Sequence, residues 1–157
     1  MNVEQIAEAL VERGQTVSVA EADTCGLIGY TFSTVAGSSR WFPGGVIAYT
    51  GGLKQSVLGV PDEVYETKGS VSPEVAVGMA TGARDLTGTD YAVSVTGVAG
   101  PTGGRSGLPI GTFYIGVAGP DGLEVAERIQ TDAGDRDGNK RQATDAVIDL
   151  LGKQMGI

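Results

Sequence analysis

Thr16-Val17-Ser18-Val19-Ala20-Glu21-Ala22-Asp23-Thr24-Cys25-Gly26-Leu27 is the stretch on which the fold turns. Residues 16–20 are few and β-branched, which predicts a strand. Residues 27–35 place apolar side chains at helical spacing, which predicts a helix. A strand that enters a helix through a tight turn presents unpaired N–H groups and a partial positive charge at the helix N-terminus. Such a place suits an anion or an exposed nucleophile.

The same alternation continues in both directions. Val3, Ile6, Ala7, Leu10 and Val11 predict an amphipathic helix over residues 3–13, which Gly14 can stop. Residues 44–50 predict a second strand, followed by a short helix over 52–58. Ser72-Pro73-Glu74 reads as N-cap, first-turn proline and favourable first-turn acid for a helix running to about Leu86. Residues 91–96 predict a strand entering a glycine-rich loop over 97–107. Strands over 112–118 and 123–130 are joined by the turn Pro120-Asp121-Gly122, and a helix over 141–151 closes the chain. Interleaved strands and helices with a late hairpin predict one α/β domain over residues 1–157. Its expected form is a three-layer α/β/α sandwich with a mixed sheet.

Composition narrows the function classes. The chain has 157 residues, 41% of them hydrophobic, enough for one core. A net charge of −8, with no clustering of basic and aromatic residues, argues against nucleic-acid binding. No apolar stretch is long enough for a membrane span, and the N-terminus does not read as a signal peptide. The single cysteine, Cys25, cannot form an internal disulfide, which points to the cytoplasm. With no histidine, a transition-metal site is not expected. A general base must then be a carboxylate, lysine, tyrosine or cysteine.

Glycine-dense turns follow three predicted strands: Cys25-Gly26, Gly51-Gly52, and the loop containing Gly97 and Gly100. Glycine lets backbone N–H groups approach a phosphate, although each turn alone also reads as an ordinary tight turn. Neither a P-loop nor a dinucleotide fingerprint is present. Tyr49 and Lys54 fall at a strand end and a helix start, and Arg136 falls just before the last helix. Lysine can hold a phosphate or act as a base when buried, and arginine can fork onto a phosphate. The bland alternatives are a core-edge tyrosine, a solvated lysine, and an arginine paired with Asp135.

Together these blocks resemble the CinA C-terminal domain family. Ala20-Glu21-Ala22-Asp23-Thr24-Cys25-Gly26-Leu27-Ile28 is similar to that family's Ala-Glu-Ser-Cys-Thr-Gly-Gly-Leu-Ile motif. The likeness continues in order through Val35-Ala36-Gly37-Ser38-Ser39, Gly44-Gly45-Val46-Ile47-Ala48-Tyr49, Lys54 and Leu58-Gly59-Val60. It extends through Gly69-Ser70-Val71-Ser72-Pro73-Glu74-Val75-Ala76, Val95-Thr96-Gly97-Val98-Ala99-Gly100-Pro101, Pro109-Ile110-Gly111-Thr112, Gly134-Asp135-Arg136 and Arg141-Gln142-Ala143.

The resemblance implies a nicotinamide-nucleotide amidohydrolase. Such an enzyme hydrolyses the carboxamide of nicotinamide mononucleotide to the acid and ammonia, without a cofactor. It implies a serine nucleophile activated by tyrosine and lysine, here Tyr49 and Lys54, in a pocket shaped by Gly26, Thr96, Gly97, Gly100 and Arg136. It also implies a small phosphorylated ligand such as a pyridine mononucleotide, a homo-oligomer, and a chain that begins at the first helix of this domain. The nucleophile itself is missing: Ala22 stands at the serine position. Asp23 replaces the motif cysteine, Cys25 its first glycine, Gly51 an asparagine and Leu108 a lysine.

An alanine cannot attack a carbonyl, so several readings stay open. Cys25 could serve as a thiolate near a helix N-terminus, although a small buried turn residue is the expected role. Thr24 carries a hydroxyl expected to point away from the site. Asp23 could activate water, or merely cap the helix. A protein that binds the nucleotide without cleaving it is the alternative function. A structural role, with Trp41-Phe42 at an interface, is a third, although an aromatic pair at a core edge is the commoner explanation.

Overall fold

A computed structural model describes residues 2–157. Its elements are α1 (Val3–Arg13), β1 (Val17–Glu21), α2 (Leu27–Ser33), β2 (Gly44–Ile47), α3 (Gly51–Ser56), α4 (Asp62–Lys68), α5 (Pro73–Thr87), β3 (Tyr91–Gly97), β4 (Thr112–Ala118), β5 (Glu124–Gln130) and α6 (Arg136–Met155). The five strands form one mixed sheet in the order β2-β1-β3-β4-β5. β1 runs parallel to both β2 and β3, whereas β4 is antiparallel to its neighbours β3 and β5. The expected α/β/α sandwich with a mixed sheet is what forms.

Strand alternation divides the core in two. Val17 and Val19 of β1 and Val93 and Val95 of β3 pack with Ile6 and Leu10 of α1, Phe32 of α2, and Val147 and Leu151 of α6. Ala20, Ala22 and Ala92 instead lie in a second cluster with Leu58, Val60, and Val75 and Met79 of α5. Trp41 and Phe42 belong to the first layer. Trp41 is 1% exposed, and both rings meet Phe32 edge-on with centroids 5.3 Å apart. The core-edge reading of this pair is the one that forms, with Trp41 in the core and Phe42 partly buried against it, and the interface role is not what their placement serves.

Several boundaries move for local reasons. β1 extends to Glu21, which pairs in register with Ile47 and Val95. β2 stops at Ile47, leaving Tyr49 beyond the strand. The last helix begins at Arg136 rather than 141, because the Asp135 side chain caps it by accepting from the Gly138 N–H at 2.8 Å. Asp137, Gly138 and Asn139 are weak helix formers and hide that first turn in the sequence. α4, short and mostly polar, was not foreseen.

Close backbone approach explains a glycine in the middle of α5. A Cβ on Gly82 would lie 1.8 Å from the Leu58 carbonyl oxygen, so the helix and the 58–60 segment could not keep their contact. Gly82→Ala is expected to lower stability by about 1–3 kcal/mol despite alanine's better helix propensity. Urea denaturation read by circular dichroism measures it, and an unchanged or raised midpoint would contradict the packing argument.

Candidate functional site

The parallel strands β2, β1 and β3 end together at one edge of the sheet. The crossover that leaves β1 through α2 and the one that leaves β2 through α5 lie on opposite faces, so the crevice beside β1 is where such sheets bind ligands. Asp23 follows β1, Tyr49 follows β2, and Thr96 and Gly97 finish β3.

Glu21 organises the first of these ends. It is fully buried, and its carboxylate accepts from the Gly26, Ile28 and Gly29 N–H groups at 2.9, 3.2 and 2.8 Å and from the Thr24 hydroxyl at 2.6 Å. A negative group at the start of α2 is electrostatically favoured there. The consequence corrects one expectation: these N–H groups, Gly26's included, already hold a protein carboxylate and are not offered to a ligand phosphate. Sequence reasoning gave Glu21 no role. The available signal was an acid placed at a strand end just before a helix that lacks a side-chain cap of its own.

Asp23 points the other way. Its Oδ2 accepts from the Gly97 N–H at 2.8 Å, tying the β1 turn to the end of β3. It therefore does not cap α2, and the Gly97 N–H is not free for a ligand. Burial pushes the Asp23 carboxyl up from its ordinary range. The Gly97 hydrogen bond opposes this, as do the charges of Lys54, Arg136 and Lys140.

Lys54, expected at a helix start, sits inside α3 and is only 3% exposed, so it is not a solvated lysine. Its Nζ donates to Thr96 Oγ1 at 2.9 Å and to the Ser70 carbonyl at 3.2 Å, while Thr96 Oγ1 donates to the same carbonyl at 2.8 Å. Burial lowers its pKa to about 8, with Asp23 pulling the other way. Asp23 and Lys54 influence each other by charge across a gap rather than through a hydrogen bond. An ammonium with three donors and two protein acceptors has one proton left to offer.

Arg136 is the first residue of α6, not a residue before it. Its Nη1 donates to the Gly100 carbonyl at 2.5 Å and its Nη2 to the Tyr49 hydroxyl at 2.7 Å. Gly100 thus anchors the arginine by its carbonyl. Tyr49 is 48% exposed, and among the described residues this bond is its one side-chain link to the site. Lys140 follows one turn later on α6 and also faces Asp23 by charge. It was missed because its helix was placed too late. Beside Arg136 opens a cavity of about 300 Å³ lined by Ala99, Pro101, Ile110, Thr131 and Asn139. Buried Asn139 supports the glycine loop, donating to the Ala99 carbonyl at 3.1 Å and accepting from the Thr131 hydroxyl at 2.9 Å. A larger groove of about 660 Å³ between residues 57–61 and α5 contains none of the candidate residues.

The substituted positions now have addresses. Ala22 is buried in the second apolar cluster, with Leu58, Val75 and Met79. Thr24 is buried, with its hydroxyl committed to Glu21. Cys25 is not the buried turn residue expected: it is exposed, in the left-handed region at φ 52°. A side chain there is strained, which accounts physically for glycine at this point of the motif. Gly51 lies against Tyr65, whose hydroxyl oxygen would be 2.1 Å from an added Cβ. Leu108 lines a different groove, with Arg105, Ser72 and Tyr114. Among the described residues no group of acidic or cysteine side chains could hold a metal ion, and no helix is long and apolar enough to cross a membrane.

The buried ammonium has a thermodynamic signature. Its folded pKa of about 8 lies below the ordinary 10.5, so the folded state disfavours the charged lysine. That cost is fully present below pH 8 and is relieved as pH rises toward 10.5. The shift corresponds to a cost on the order of 3 kcal/mol. Lys54→Met is expected to be more stable than the parent at pH 7, with the difference shrinking between pH 8 and 10.5. Paired urea melts across that range would show a constant difference if the lysine were not penalised.

Comparison with known proteins places this arrangement. Residues 2–155 match the family model described as the CinA C-terminal domain. The chain is 40% identical over 151 residues to the nicotinamide-nucleotide amidohydrolase PncC of Escherichia coli K12, covering 96% of this chain and 91% of that protein. It is 43% identical over 150 residues to a CinA-like protein of Synechococcus sp. RCC307, again covering 96% of this chain but only 36% of that longer protein. It therefore spans about a third of the length of such relatives. The competence/damage inducible protein CihA of Agrobacterium tumefaciens superposes with a TM-score of 0.92 at 30% identity, covering 99% of this chain and 93% of that one. The competence damage-inducible protein A of Klebsiella pneumoniae gives 0.93 at 28% identity, covering 98% and 94%. With matched sequence over nearly its whole length and the same mixed sheet, this chain belongs to the CinA C-terminal domain family.

Proposed function

We propose that this chain binds a pyridine mononucleotide at the ends of β1, β2 and β3 and hydrolyses its carboxamide without a serine or cysteine nucleophile. The observation that carries the reading is the polar frame itself. Lys54 and Thr96 are buried and bonded to each other, Asp23 faces them, and Arg136 is braced by Gly100 and Tyr49. The relative named as a nicotinamide-nucleotide amidohydrolase supports the choice of ligand. Ala22 lacks an attacking atom, Thr24 is committed to Glu21, and Cys25 lies exposed in a strained turn.

In this reading the arginine meets the phosphate. A guanidinium has five donors, and two of its nitrogens already hold Gly100 and Tyr49 in a fixed plane. In the same reading the remaining donors, with Lys140 one turn along α6, supply the cationic partners of the phosphate, and the amide lies toward Asp23 and Lys54. A second reading, nucleotide binding without turnover, is favoured by one observation: Ala22 stands at the motif's serine position. Cytoplasmic location and a homo-oligomer accompany the proposal, and sedimentation of the purified chain reads the latter.

Ammonia release from nicotinamide mononucleotide, measured with calorimetric binding of the same compound, separates the readings. Turnover that survives Cys25→Ala is expected. Saturable binding with no ammonia would support the binding-only reading, and loss of turnover on Cys25→Ala would restore a thiolate route. Arg136→Ala should weaken mononucleotide binding by about 10- to 100-fold, the effect of losing a charge-assisted contact of roughly 1.5–3 kcal/mol. It should leave binding of the riboside, which lacks the phosphate, nearly unchanged. Equal losses for both compounds would remove the arginine from the phosphate.

A further inference from the structure

With every side-chain nucleophile of the motif turn absent, committed or exposed, water is the nucleophile left for amide hydrolysis. It needs a base that is fixed, has an open lone pair and stands near a proton donor for the leaving nitrogen. Asp23 has these properties. Its Oδ2 is anchored on the Gly97 N–H at 2.8 Å, whereas its Oδ1 accepts no hydrogen bond from the protein among the described residues. Lys54 stands across a gap from it, held by Thr96 and Ser70 with one proton uncommitted.

We propose that Asp23 is the catalytic base that activates a water for direct attack on the carboxamide carbon, with Lys54 as the acid for the departing nitrogen. The inference rests on the pyridine-mononucleotide reading above. The water oxygen forms the new C–O bond as its proton passes to the Asp23 carboxylate. The tetrahedral adduct then collapses, the C–N bond breaks, and the Lys54 ammonium protonates the nitrogen. The new carboxylic acid returns a proton to Lys54, and Asp23 gives its proton to ammonia. Water and amide thus become carboxylate and ammonium, with both side chains restored and no acyl-enzyme formed. The environments of the two groups suit these roles: burial raises the carboxyl and lowers the ammonium, bringing an acid and a base closer to neutral pH. The charged groups facing Asp23 are Lys54 from α3 and Arg136 and Lys140 from α6.

The test uses the full chain with nicotinamide mononucleotide, measuring ammonia release, binding by calorimetry and intact protein mass during turnover. Asp23→Asn and Asp23→Ser are expected to lower kcat by at least ~100-fold while changing Kd by no more than about 3-fold, as the loss of a general base would. Asp23→Glu should recover part of the rate with a displaced acid limb in the pH profile, and no acyl adduct should appear in the parent. A kcat within about 10-fold of the parent in both the Asn and Ser variants would overturn the role of Asp23 while leaving the hydrolase reading intact. So would an acyl adduct on the parent. Binding without ammonia from the parent would overturn the catalytic step, and failure to bind the mononucleotide would overturn the ligand reading and this inference with it.

Discussion

The buried Glu21 carboxylate is the interaction on which the site depends. Four donors converge on it: three from the backbone at the start of α2 and one from Thr24. A carboxylate without such partners could not be kept fully buried. By consuming the N–H groups of α2, Glu21 fixes the angle at which the chain leaves β1. It also turns Asp23, two residues on, toward Gly97 at the end of β3. The turn that looked like an anion cradle is thus filled from within, and its function is to aim side chains.

What is aimed is a charged group of mixed sign at a sheet edge where three parallel strands end. Lys54 and Asp23 are both held where burial disfavours their charge, and each relieves the other in part. This is the opposite of an arrangement chosen for stability. The apolar layers on either side, anchored by Phe32 and Trp41 on one face and Met79 on the other, supply the burial against which the penalty is set. Arg136 holds Gly100 and Tyr49 in a second polar network, and Asn139 supports the same glycine loop through the Ala99 carbonyl.

Local patterns made most elements legible. The capped helix at Ser72, the strands over Tyr91–Gly97 and Thr112–Ala118, and the turn at Pro120 follow from propensity and side-chain periodicity. The first turn of α6 was not legible, because weak helix formers follow Asp135 and only the cap reveals the start. α4 was lost for want of an apolar stripe. Tyr49, Lys54, Thr96 and Arg136 could be named from the ordered motif blocks. Their partners could not, since Lys54 meets Thr96 across 42 residues and Arg136 meets Tyr49 across 87.

The sequence alone determined the alternation of strands and helices, the absence of histidine, and the alanine at position 22. Those are properties of residue identity and local spacing. Tertiary structure decided which charges are buried, which hydroxyls are already committed, and which way each turn residue faces. The physical reason is that solvation and hydrogen-bond partnership depend on neighbours distant in the chain. Lys54 reads as an ordinary lysine until its ammonium is buried against Thr96 at the end of β3, and Glu21 reads as one motif letter until α2 closes over it.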